Sequence, residues 1–130
     1  MAPAHDLYGN PVSSDAAALP CINDFAEGFA ACEIRVLRLL DIAEQDDSLL
    51  VQTWCAALHL FAEDAQAARN ALPFLQRARA SQHLANDREK RWLAAIESWA
   101  LGDTPRAAQQ LEALVLLHPR DLTALKMAHY

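Results

Sequence analysis

Asn86 to Pro119, NDREKRWLAAIESWALGDTPRAAQQLEALVLLHP, spells two helices folded back on each other. Asn86 is a good N-cap, and Glu89, three residues on, can reach back to it as a capping box. Trp92, Ala95, Ile96 and Trp99 follow at i, i+3, i+4 and i+7, one face of a helix. Gly102 stops that helix by supplying a left-handed residue. Asp103 or Thr104 caps the next helix, and Pro105 sits in its first turn, where no N–H is needed. Ala107, Leu111, Leu114, Val115 and His118 line one face of this second helix, and Pro119 ends it. So short a connection makes the pair antiparallel.

The hairpin resembles a tetratricopeptide repeat. With Arg88 as the first repeat position, Ala95 and Ala107 fall on the small-residue positions of the two helices. Leu111 takes the large apolar position and Pro119 the closing proline. Small residues are needed because a bulky side chain at Ala95 or Ala107 would wedge the helices apart. Leu114 departs from the pattern, which favours alanine there.

The chain has 130 residues, enough for one domain with its own core. Its 53% hydrophobic content is mostly alanine and leucine with only three glycines, which favours helices over strands. A net charge of −6 argues against general nucleic-acid binding and against docking on anionic membrane surfaces. No run of about 18 uncharged apolar residues is present, so no transmembrane helix is expected. The start, MAPAHDLYGN, lacks the basic and apolar regions of a signal peptide. Cys21, Cys32 and Cys55 match no zinc or redox spacing and read as reduced thiols of a cytoplasmic protein.

Residues 1–14 form a lead-in and 15–130 a single helical-repeat domain. Gly9-Asn10-Pro11 is turn chemistry, but no alternating strands flank it, so no hairpin is expected there. The first helix runs from about Asp15 to Ala30, with Pro20 near its start either bending it or marking its true beginning, and buries Ile22, Phe25, Ala26 and Phe29. A second, Glu33 to Gln45, buries Val36, Leu39, Leu40 and Ala43, although periodicity alone permits one long helix. The next pair spans Ser48 to Ala62 and Ala65 to His83, where Pro73 suggests a kink or a late start. Asp121 caps a last segment, DLTALKMAHY.

Ala56-Ala57-Leu58 with Phe61-Ala62 echoes Ala94-Ala95-Ile96 with Trp99-Ala100 at an offset of 38 residues. Two helices per unit at such a period mark an α-solenoid. Taken whole, the chain resembles the amino-terminal part of the tetratricopeptide repeat protein 38 family. The likeness rests on DLYGNPVS, on AAIESWALGD and its distance from that lead-in, and on HPRDLTALKMAH, and covers nearly all residues. It implies a helical-repeat scaffold, a break near Ala31 between the first two helices, and no catalytic residues to carry over. Family members continue into further repeats, which implies the start of a longer array.

A search for chemistry finds little. His59, His83, His118 and His129 never fall at i, i+3 or i+4, so no metal or cofactor site is expected. His118 near a helix end has a structural role in meeting free carbonyls. The run from Arg88 to Arg91 reads as a solvated basic face, with nucleic acid disfavoured by the lack of an aromatic stripe.

The expected fold is therefore all-α, a tetratricopeptide-like superhelix of antiparallel helix pairs. The expected function is a non-enzymatic scaffold for a protein or peptide partner, with no catalytic residues, metal or cofactor. Gln52, Arg88, Arg91 and Glu97, polar positions on first helices of the pairs, are the candidate partner-binding residues. The last segment offers Leu122, Leu125 and Tyr130 for self-association as a homodimer. The alternative is a small helical enzyme or ligand carrier with a site between helices near Trp92, Trp99 and His59.

Overall fold

A computed structural model of the chain describes residues 4–31 and 33–129. The readings of Cys32 and Tyr130 lie outside the described residues. Among those described, the chain forms seven α-helices: α1 Leu19–Ala31, α2 Arg38–Ile42, α3 Leu49–Phe61, α4 Ala67–Ala80, α5 Asp87–Ala100, α6 Thr104–Leu117 and α7 Leu122–Ala128. Single 3-10 turns occupy Ala16–Ala18, Ile34–Leu37 and Gln82–Leu84. The all-α class holds, and none of these helices is long and apolar enough to cross a membrane.

The α5–α6 hairpin forms as its residues dictate. Glu89 N–H donates to Asn86 Oδ1 at 2.9 Å, and Asn86 N–H donates to Glu89 Oε1 at 3.1 Å, closing the capping box. Gly102 takes φ +84° after α5, and Asp103 accepts from Arg106 N–H at 3.2 Å to open α6. Ala95 and Ala107 are both buried. The α3–α4 hairpin turns with Glu63 at φ 54°, a left-handed residue without glycine.

α3 is the centre. Every residue from Leu49 to Ala57 is buried, so the helix has no solvated face over that span. It packs against α4 and α5. Trp54 stacks on Phe25 of α1 at 4.4 Å and meets the edge of Trp92 of α5 at 5.6 Å. A second aromatic chain links Phe29 to Phe61 at 5.4 Å and Phe61 to Trp99 at 4.7 Å. α1 thus lies on α3, and it also packs on α7.

Three local expectations are corrected. First, the lead-in is a hairpin: β1 Ala4–His5 pairs antiparallel with β2 Pro11–Val12. The Asp6 carboxylate organises the loop by accepting from Tyr8 N–H at 3.0 Å and Asn10 N–H at 2.9 Å, with Gly9 at φ +86°. Local hydrogen bonding replaces the strand alternation that was missing. Second, of the two roles open to Pro20 it takes that of marking the helix's true beginning: it sits in the first turn of α1, which starts at Leu19 and not at Asp15. The break after Ala31 is real, and Gly28 permits it. A Cβ there would lie 2.8 Å from Arg35 Cγ as the chain folds back. The segment beyond is a 3-10 turn and the five-residue α2 rather than one helix from Glu33 to Gln45. Third, α4 runs unbroken through Pro73, forgoing the bond that residue would make to the Arg69 carbonyl.

Candidate functional site

The polar residues singled out in the sequence fall into two sets, one sealed inside the fold and one on its surface. Arg88 belongs to the sealed set. It sits one turn before Trp92 on the inner face of α5, and its side chain is 1% exposed. Its guanidinium donates to Asp121 Oδ2 at 2.8 Å and to the Pro11 carbonyl at 3.1 Å. The Trp92 indole N–H donates to the same Asp121 oxygen at 2.7 Å, while the other carboxylate oxygen caps α7 through Ala124 N–H at 3.0 Å. Around this pair the lead-in is tied down. Ser13 donates from Oγ to Glu89 at 2.6 Å, Asn86 Nδ2 donates to the Pro11 carbonyl at 3.0 Å, and Asn10 Nδ2 donates to the Arg120 carbonyl at 3.0 Å. These bonds form one lock joining the lead-in to the starts of α5 and α7. A buried charge needs a partner and further hydrogen bonds, and the lock supplies both.

The expectation that Arg88 faces a binding groove is therefore corrected: its side chain is buried, and both terminal nitrogens donate inside the chain. Gln52 is corrected for the same reason. It is fully buried, and its Nε2 donates to the carbonyls of Ala43 and Asp46, each at 2.7 Å, tying the end of α2 to α3.

Arg91 and Glu97 are on the outer side of α5. Arg91 donates to Asp87 Oδ2 at 2.8 Å, one turn back. Hydrogen bonds from Arg91 and then from His118 hold the Asp87 carboxyl below its ordinary range. Glu97 pairs with Arg79 of α4. On α7, Leu122 and Leu125 remain about two-fifths exposed while Ala124 and Met127 are buried.

Trp92, Trp99 and His59 do not converge. Trp92 is held in the lock, Trp99 meets Phe61, and His59 stacks on Phe74 of α4 at 5.1 Å. Two residues apart on α3, His59 and Phe61 face different neighbours. Among the described residues no three His, Cys, Asp or Glu side chains are grouped to hold a metal. Burial pushes the Cys55 thiol up to about 12, so it stays protonated at neutral pH.

Two open apolar grooves mark the surface. One, about 440 Å³, lies between α4 and α5 and is lined by Leu72, Leu75, Ala100 and Leu101, with Arg69, Arg79 and Glu97 at its rim. The other, about 450 Å³, lies beside α1 and is lined by Phe29, Ile34, Val36, Leu37, Leu58 and Phe61. Periodicity does not reveal the α4–α5 groove: Leu72 stands one turn from the buried Leu75 on α4 yet is half exposed, and Leu101 lies just beyond the end of α5.

No protein-family model matches the chain, and no solved structure matches it.

Proposed function

We propose that the chain is a non-enzymatic, tetratricopeptide-like scaffold that binds a protein or peptide. The observation that carries this reading is the α4–α5 groove, where Leu72 is 51% and Leu101 87% exposed. Contiguous exposed apolar surface with a polar rim is the mark of an interaction site. The two helix hairpins in sequence, their 38-residue echo and the packing of α3 and α4 on α5 support the tetratricopeptide-like architecture and the kinship with the protein 38 family. Glu97 and Arg91 are the sequence candidates left on the surface to meet a partner. Cys55, buried and without a disulfide, fits a reducing compartment such as the cytoplasm.

Affinity capture from native lysate, quantified by mass spectrometry, tests the reading. The wild-type chain is expected to enrich a partner that a Leu72→Glu/Leu101→Glu variant loses. A profile no different from that of an unrelated acidic helical protein would sink it. Self-association through Leu122 and Leu125 is a second contact supported by their exposure on α7. Light scattering is expected to give a dimer mass that falls to the monomer in Leu122→Glu/Leu125→Glu. A monomer mass for the wild type at high concentration would end that part of the proposal.

A further inference from the structure

We infer that the α4–α5 groove receives the apolar face of an acidic amphipathic helix from a partner protein, with the partner's carboxylates set against Arg69 and Arg79. The inference rests on the scaffold reading and names the class of partner.

The first argument is charge. The chain as a whole carries −6, yet α4 contains Arg69, Arg77 and Arg79 and no carboxylate. Asp and Glu therefore crowd the rest of the molecule while this helix presents only positive charge. The groove lining repeats the pattern, with Arg69 and Arg79 against the single acid Glu97. Arg79 bonds Glu97, and its side chain is still 59% exposed. Arg69 makes one long contact, 3.5 Å to Gln66 Oε1. A guanidinium has five N–H donors in a planar fork suited to a carboxylate, so both arginines keep donors beyond these contacts.

The second argument is shape. Ala68, Leu72, Leu75, Gln76 and Arg79 recur along α4 at helical intervals and form one wall, and Ala100 and Leu101 form the other. A trough between two helices takes side chains presented at i, i+3 and i+4 from a third helix. At about 440 Å³ it has room for a small cluster of such side chains. The groove beside α1 lacks this charge pattern: Glu33 and Lys126, of opposite sign, are the charged residues in its lining.

Selection from a displayed library of helical peptides tests the inference. The library has leucine fixed at i, i+3, i+4 and i+7, and Glu, Gln or Lys varied at the other positions. The 130-residue chain is expected to enrich Glu-rich peptides. Their affinity is expected to fall about tenfold or more in Arg69→Glu/Arg79→Glu and in Leu72→Glu/Leu101→Glu. It should stay within about twofold in Lys90→Glu, a basic residue outside the groove. Circular dichroism and melting confirm that the variants fold. Neutral or basic winners, or winners indifferent to the arginine reversal, overturn the inference. Winners whose amide-exchange footprint falls on Ile34 and Leu37 overturn it while leaving the scaffold reading intact. No enrichment, together with an empty lysate capture, overturns both. A concentration-dependent rise in mass that Arg69→Glu/Arg79→Glu abolishes would show that a second copy fills the groove, which also overturns it.

Discussion

Arg88→Ala is expected to cost about 3–5 kcal/mol of stability, the usual penalty for removing one partner of a buried ion pair. The loss strands the Asp121 carboxylate, which is 2% exposed at the side chain, with only the Trp92 indole and its own helix cap as donors. It also removes a donor to the Pro11 carbonyl, loosening the lead-in. Small domains hold only about 5–15 kcal/mol in total, so the variant should sit near the edge of folding. Arg91→Ala, three residues away, removes only an exposed pair one turn apart and should stay within about 0.5 kcal/mol. Urea melts of the two variants check this. Arg88→Ala within about 1 kcal/mol of wild type would mean that the lock adds nothing to the fold.

That contrast shows where the sequence could be read and where it could not. The caps at Asn86, Asp103 and Asp121, the stop at Gly102 and the stripe of Trp92, Ala95 and Ile96 are all local, and each took its expected form. Arg88 reads with its neighbours as part of a solvated run, and the structure buries it. Its spacing from Trp92, one turn, already placed it on the inner face. What the spacing could not show was Asp121, 33 residues on, which makes burial of the charge tolerable. Gln52 carried a similar signal, lying inside LLVQTWCAAL, where the apolar residues go all round the helix. Its carbonyl partners lie in the preceding loop and helix end, which no periodicity reports. The lead-in was legible only as a turn. Its pairing depends on Asp6 reaching two backbone N–H groups and on long-range bonds to Glu89 and the Arg120 carbonyl. The α4–α5 groove is the least legible feature, because sequence tells which residues are apolar and not which of them the packing leaves uncovered.

Trp54→Ala is the other change expected to have a large effect, again about 3–5 kcal/mol, from the loss of a buried aromatic and the cavity it leaves. The position matters more than the volume. Trp54 touches rings on both α1 and α5, through Phe25 and Trp92, as Phe61 does nearer the end of α3 through Phe29 and Trp99. Such ring pairs contribute about 0.5–1.5 kcal/mol each beyond their burial. α1 is folded against its own Ile34–Leu37 turn and α2, and it is held to the later helices by this stack, by Phe29 against Phe61, and by α7. Removing the indole should therefore free α1 before it disturbs the α5–α6 hairpin. Hydrogen exchange is expected to show Ile22 to Phe29 losing protection at denaturant concentrations where Trp92 to Trp99 keeps it. Trp54→Phe should be much milder, since it retains the stack on Phe25 and deletes an indole N–H that is buried without a partner. Uniform loss of protection along the whole chain in Trp54→Ala would mean that α1 is integral to a single cooperative core instead of being clasped onto the array chiefly through the Trp54 ring.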